Sequence, residues 1–148
     1  ICMLPGMPSK DNKSVLSFHW ISHHRTCRKY DNHDTEVYIL EILCLTCDLL
    51  FHIPFLYLSK VFYCTLVYCV LNYYFKHRKA HKDVEWCKRH MPWHFDHHMG
   101  PNQDMNWCIT QPWFDYILGT REKYYGSAKY HRREKIKKLL EQKRNLTK

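Results

Sequence analysis

The hydrophobic positions of the chain are concentrated in its second quarter. Residues 37–51 and 55–75 form two apolar runs separated by a break at Pro54, and the second run holds a single charge, Lys60. A transmembrane helix needs about twenty largely apolar residues, so the second run qualifies and the first is short. The pattern therefore predicts an all-α fold built on an integral-membrane helical hairpin over residues 37–75, with a histidine-rich helical cap.

Basic residues flank this hairpin on both sides. They are Arg25, Arg28, Lys29, Lys76, Arg78 and Lys79. Because Lys and Arg are enriched on the cytoplasmic side of membrane proteins, both ends of the hairpin are predicted to face the cytoplasm. Glu41 and Asp48 lie inside the first run and oppose its insertion. The alternative is a pair of buried helices in a soluble bundle, which the mean hydropathy of −0.56 favours.

The segments at the two ends of the chain are polar. Residues 1–14 contain two Pro and one Gly and predict an irregular lead-in, whereas residues 123–148 predict a basic C-terminal helix. The net charge of +9 is almost wholly C-terminal, since residues 121–148 hold eleven Lys and Arg against three acids. Such a run is most often a solvated face, and no nucleic-acid partner is predicted. With four glycines and no Gly-rich phosphate loop, the usual nucleotide-binding classes are excluded.

The eight cysteines show no compact disulfide pattern. Half of them lie within the apolar runs, where cysteine behaves as a small hydrophobic residue. These four are Cys44, Cys47, Cys64 and Cys69. Cys44 and Cys47 have the spacing of a redox or zinc pair, but without a second pair we interpret them as apolar filler. Reduced thiols are therefore predicted, which indicates the cytosol or a cytosolic membrane face.

Most of the twelve histidines fall into three groups. The groups are His19, His23 and His24; His77 and His81; and His94, His97 and His98. Histidines spaced by three or four residues share one face of a helix. If the hairpin returns the chain to the same side, all three groups meet at one face. Eight imidazoles exceed the needs of one tetrahedral zinc ion, so the pattern predicts two metal ions, Fe or Zn, with open positions for oxygen or water.

The last histidine group belongs to a longer pattern that resembles a known family. The sequence HFDHH at 94–98, NW at 106–107 and WFDYILGT at 113–120 is similar to the closing signature of the fatty acid hydroxylase/sterol desaturase superfamily. Members of that family are membrane enzymes in which histidine boxes hold a di-iron centre that activates O₂. The resemblance covers roughly residues 15–122, with histidine boxes at 19–24 and 77–98 on either side of the hairpin.

The resemblance implies an oxidoreductase that hydroxylates or desaturates a membrane lipid such as a fatty acyl chain or a sterol. The eight histidines would hold two Fe ions (or Zn in the isolated protein), and the electrons would come from a cytochrome b5-type donor or a reductase. Asp96 and Asn106 would lie just outside the ligands, with Asp96 accepting a hydrogen bond from a ligand N–H. The expected location is an endoplasmic reticulum-like membrane, with the metal site on the cytoplasmic face.

The chain departs from the family pattern near its start. It begins at Ile1 without the family's opening histidine pair, and Trp20 stands where the next box has histidine. Cys108 stands where the family usually has glycine. These departures predict an N-terminally truncated member. The alternatives are a soluble histidine-rich metal-binding or interaction protein and an inactive scaffold relative of the family.

Overall fold

The computed structural model describes residues 35–102 and 104–146, and the predicted lead-in over residues 1–14 lies outside this part of the chain. Most of the described residues are helical, as the sequence predicts. In chain order the helices are α1 (Thr35–Phe51), α2 (Phe55–Leu58), α3 (Lys60–Lys82), α4 (Val84–His90), α5 (Pro92–Met99), α6 (Trp113–Ile117) and α7 (Ala128–Leu146). Helix α7 lies within the segment predicted as a basic C-terminal helix.

Helices α1 and α3 run antiparallel, and two hydrogen bonds show their register. The hydroxyl of Tyr63 donates to the carbonyl of Leu49 at 3.3 Å near the turn. Farther from the turn, Nδ1 of His77 lies 2.9 Å from a carboxylate oxygen of Glu41. The chain reverses through residues 52–54 and the single-turn helix α2, so the predicted turn near Pro54 is present.

The predicted transmembrane hairpin is wrong. None of the helices in the described ranges combines the length and the apolar character needed to cross a membrane. The apolar run over residues 55–75 divides at Ser59, whose hydroxyl accepts a hydrogen bond from the backbone N–H of Phe62 and caps α3. The apolar part of α3, residues 61–75, is about 22 Å long, whereas a hydrocarbon core is about 30 Å thick. The integral-membrane, endoplasmic reticulum-like location that rested on the hairpin is therefore also wrong.

Helices α4 and α5 pack against the C-terminal part of α3 because of an apolar repeat. Cys87, Met91, Phe95 and Met99 recur at every fourth position, and all four are buried. Residues four apart share one helix face, so the repeat continues across the break at Met91, where α4 ends and Pro92 begins α5. These residues form a core with Ala80, Ile109 and Tyr124. Each large side chain buried here contributes about 1.5–3 kcal/mol to folding.

The segment that follows α5 is held by the buried carboxylate of Asp115. It accepts hydrogen bonds from the backbone N–H groups of Trp107 and Cys108, at 2.8 and 3.0 Å, and from the hydroxyl of Thr120 at 2.8 Å. Asp115 is 1% exposed, and a buried carboxylate is tolerated where hydrogen bonds replace its water. Asp115 therefore ties α6 to the loop, and the loop contacts α5 through the indole N–H of Trp93, which donates to the carbonyl of Ile109 at 2.7 Å.

Two side chains of α7 attach this helix to the core. The ring of Tyr130 contacts the ring of Phe95, with 6.2 Å between centroids. The guanidinium of Arg133 donates to the carbonyl of Met99 at 3.0 Å. Beyond residue 135 the side chains of α7 are exposed through residue 146. The first half of α7 is thus fixed to the domain, while its basic second half faces solvent.

The described cysteines differ in oxidation state and in burial. Cys108 is disulfide-bonded, so the prediction of reduced thiols is wrong for this residue. The described cysteines with free thiols are Cys44, Cys47, Cys64, Cys69 and Cys87. Of these, Cys87 alone is buried. Burial raises the pKa of the Cys87 thiol to about 12, although its hydrogen bond with the backbone of Phe95 lowers it in part.

We expect Cys87 to resist alkylation in the folded protein, whereas the four exposed thiols react. The thiolate is the reactive form, and a buried thiol with a raised pKa supplies little of it. Mass spectrometry of the iodoacetamide-treated chain measures each site, and a denatured sample is the control in which Cys87 also reacts. Equal rates of alkylation at Cys87 and Cys44 in the native chain would contradict this expectation.

The raised pKa of Cys87 also makes stability depend on pH. Because the pKa is higher in the folded state, the contribution of Cys87 to stability is complete below about pH 8.5 and is lost as the pH rises towards 12.

Candidate metal centre

Four histidine side chains converge between α3 and α5. His77 and His81 lie one turn apart on α3, and His94 and His98 lie one turn apart on α5. One ring nitrogen from each can be chosen so that all four atoms lie within 4.8 Å of one another. Three of the side chains are buried and His81 is half-buried. The cluster therefore has the ligand type and the short distances between ligand atoms that a metal-binding site needs.

Two pairs of residues lie on adjacent faces of α5, one apolar and one of histidines. Phe95 and Met99 form the apolar stripe that enters the core. His94 and His98 each precede one of these residues, and one residue along a helix is a rotation of about 100°. The core contact therefore turns both imidazoles towards α3. His77 and His81 meet them there, with ring centroids 5.0 Å apart for His77 and His94 and 4.7 Å apart for His81 and His98.

The spacing of the ring nitrogens fits one transition-metal ion. Nε2 of His81 lies 3.0 Å from Nε2 of His77 and 3.2 Å from Nε2 of His94. With metal–nitrogen bonds of about 2.0–2.1 Å, neighbouring ligands are about 3.3–3.4 Å apart around a tetrahedral ion and about 2.8–3.0 Å apart around an octahedral one. The two observed distances lie between these limits, so the three nitrogens need little movement to share an ion.

The tautomer of His77 supports the same interpretation. Its Nδ1 lies 2.9 Å from Oε1 of Glu41, and a carboxylate accepts the hydrogen in such a contact. In the neutral imidazole that a metal requires, Nε2 of His77 then carries a lone pair. Nε2 of His81 has at most one hydrogen to share between His77 and His94. A metal ion accepts a lone pair from Nε2 of His77, His81 and His94 at the same time. Hydrogen bonds between the rings cannot satisfy both contacts of His81 at once.

His97 lies beside the four-histidine cluster. Its Nδ1 donates to the carbonyl of Met105 at 2.8 Å, and its ring centroid is 5.1 Å from that of His98 and 6.4 Å from that of His94. Burial lowers the pKa of His97, partly offset by the hydrogen bond with Met105. The imidazole is therefore neutral, with Nε2 as its possible ligand atom, but it does not belong to the group of four whose nitrogens lie within 4.8 Å.

The structure describes five of the eight predicted ligands. His77, His81, His94 and His98 come together, and His97 is adjacent. The remaining three, His19, His23 and His24, lie outside the described residues. The described residues therefore contain the elements of one metal site, and the second predicted ion is not tested by them.

Asp96 and Asn106, predicted to lie just outside the ligands, contact the segment that follows α6. The carboxylate of Asp96 accepts from the backbone N–H of Tyr125 at 2.6 Å and pairs with Arg121 at 2.8 Å. Asn106 has a positive φ of 59°. Its Oδ1 accepts from Arg121 at 2.7 Å and from the backbone N–H of Glu122 at 3.0 Å. Both residues thus hold this segment against the histidine-bearing helix α5.

Glu41 is the residue of the site that sequence reasoning missed. Its charge in an apolar run was interpreted as an obstacle to membrane insertion, yet the carboxylate is hydrogen-bonded to His77, and the two side chains are 14% and 3% exposed. An acid with apolar residues on both sides of it in the sequence was the available signal, because a partly buried charge needs a partner. The partner itself, 36 residues away, was not readable from spacing.

Comparison of the chain with protein-family models, with curated proteins and with solved structures found no match. The resemblance to the fatty acid hydroxylase/sterol desaturase superfamily therefore stays a prediction from the histidine spacing and the motifs at 106–107 and 113–120.

Proposed function

We propose that the chain is a metal-binding protein whose site is formed by His77, His81, His94 and His98. The observation that carries the proposal is the convergence of four imidazoles from two helices, with Nε2 atoms 3.0 and 3.2 Å apart. Imidazole nitrogens suit Zn²⁺ and Fe²⁺, and neither the carboxylates that Mg²⁺ prefers nor thiolates belong to the group. A bound ion would supply Lewis acidity at a site that α3 and α5 hold between them.

A second candidate is the O₂-dependent di-iron oxidoreductase that the family resemblance implies. His97 favours it, because this buried imidazole lies next to His98 and presents Nε2 as a fifth nitrogen donor. In this proposal two bound Fe ions would supply the activation of O₂, and a cytochrome b5-type donor or a reductase would supply the electrons. The substrate would be a lipid such as a fatty acyl chain or a sterol. His97 would serve the second ion, with its orientation set by the Met105 carbonyl.

Metal titration of the purified full chain tests the first proposal and separates it from the second. We expect Zn²⁺ and Co²⁺ to bind in a ratio of one ion per chain, with Co²⁺ giving the visible absorption of nitrogen coordination. A ratio of two would favour the dinuclear candidate, whereas one ion would contradict it. No saturable binding of either ion near neutral pH would overturn the metal-binding proposal.

A further inference from the structure

The carboxylate of Glu41 reaches the histidine cluster from a third helix. All four histidines of the cluster lie on α3 and α5, while Glu41 lies on α1. Its Oε1 is 2.9 Å from Nδ1 of His77, on the side of the ring opposite the nitrogen that faces His81. The carboxylate therefore contacts the ring nitrogen of His77 that does not face the cluster. It is not itself one of the four groups that could bind a metal ion.

Tyr73 is a second partner of this carboxylate. Its hydroxyl is hydrogen-bonded to Glu41. Its ring stacks on the imidazole of His77, with the centroids 5.1 Å apart and the planes inclined by 26°. Tyr73 and His77 are four residues apart on α3, so both face the same side of that helix. A phenol keeps its hydrogen near neutral pH whereas a carboxylate has none to give, so the hydroxyl of Tyr73 is the donor in this contact.

We propose that Glu41 is a positioning residue for the metal ligand His77, held in its place by Tyr73. The inference rests on the proposed metal-binding function. The carboxylate keeps the hydrogen of His77 on Nδ1 and directs the Nε2 lone pair to the ion. It also makes the imidazole a stronger donor, since a hydrogen bond from the distal nitrogen to a carboxylate raises ligand basicity. Helix α1 thereby becomes part of the metal site, although it supplies no ligand.

A simple ion pair that only attaches α1 to α3 is the competing explanation. Such a pair would contribute to the stability of the chain with or without metal and would leave the properties of a bound ion unchanged. A positioning role instead changes the affinity for the ion and its spectrum. The amide of Glu41→Gln can still accept the hydrogen of His77 but lacks the charge, so this variant separates orientation from donor strength.

The experiment uses Co²⁺ and the full chain, with affinity measured by titration and coordination by visible absorption. We expect Glu41→Ala to lower Co²⁺ affinity by about 10–100-fold and to shift the absorption bands, which is the usual effect of losing an outer partner of a metal-bound histidine. Glu41→Gln and Tyr73→Phe should each show a smaller loss. Asp48→Asn is the matched control, because it removes one acid from the same helix at a side chain that is 45% exposed and contacts His52.

Wild-type affinity and spectrum in both Glu41 variants would overturn the inference, and circular dichroism shows whether each variant has folded. If Glu41→Ala does not fold, Glu41→Gln decides alone. An equal loss of affinity in Asp48→Asn would assign the effect to the charge of α1 and would also overturn it. If the wild-type chain binds no Co²⁺, the proposed function fails as well. If the wild-type chain and the Glu41 variants bind Co²⁺ equally, the inference fails and the proposed function stands.

Discussion

Replacing His94 with alanine is expected to abolish tight metal binding. Nε2 of His94 lies 3.2 Å from Nε2 of His81, and the side chain is 1% exposed, so neither water nor a neighbouring side chain readily takes its place. The loss should exceed the roughly 10–100-fold that removal of an outer hydrogen-bond partner costs. Equilibrium dialysis with Zn²⁺ near neutral pH measures it.

His90→Ala is the matched control for this prediction. His90 is an exposed histidine at the end of α4, four residues before His94, and its ring stacks on Trp86. This variant should bind Zn²⁺ as the wild type does. At a free Zn²⁺ concentration of about 100 times the dissociation constant, binding stabilises the wild type by about 2.7 kcal/mol and raises the melting temperature by roughly 5–10 °C. Equal Zn²⁺ affinities for His94→Ala and His90→Ala would remove His94 from the site.

Replacing Asp115 with alanine is expected to cause a large loss of stability. Its carboxylate accepts three hydrogen bonds in a buried position, so the substitution leaves the N–H groups of Trp107 and Cys108 and the hydroxyl of Thr120 without this acceptor. Each buried polar group left unsatisfied costs about 1–3 kcal/mol. We expect the free energy of unfolding to fall by about 3–5 kcal/mol, which is a large part of the roughly 5–15 kcal/mol typical of a domain.

Thermal unfolding followed by circular dichroism measures this change. A loss of this size lowers the melting temperature by roughly 10 °C or more. Asp104→Ala is the control, because Asp104 is an exposed aspartate in the loop before Trp107. Asp115→Asn should lie between the two, since its amide keeps one acceptor but turns a donor towards a backbone N–H. Melting of Asp115→Ala at the temperature of Asp104→Ala would show that the carboxylate does not hold the loop.

Local spacing predicts eight histidine ligands, and the four that meet in the structure are among them. His77 and His81, like His94 and His98, are separated by four residues, and this separation places two side chains on one helix face in any fold. The same argument included His97, three residues after His94. The structure instead directs Nδ1 of His97 to the carbonyl of Met105, a loop contact that helical spacing does not contain.

The membrane hairpin shows where reasoning from composition failed. Residues 55–75 form one apolar run in the sequence, and the mean hydropathy of a segment does not depend on where a helix begins. The side chain of Ser59 accepts the N–H of Phe62 and starts α3 within the run. The remaining apolar part of α3 is too short to span a membrane, and the last turn of α3 carries Lys79, His81 and Lys82. The N-cap at Ser59 thus leaves α3 with an apolar part that is shorter than the run the sequence shows.

By itself, the sequence determined the helical character of the described chain, the turn near Pro54 and the two histidine pairs, because all three depend on residues that are neighbours along the chain. The tertiary structure decided which pairs meet and what supports them. The contact of Glu41 with His77 spans 36 residues, and its existence depends on the register of α1 against α3. Register is set by the packing of many side chains at once, so no local pattern contains it.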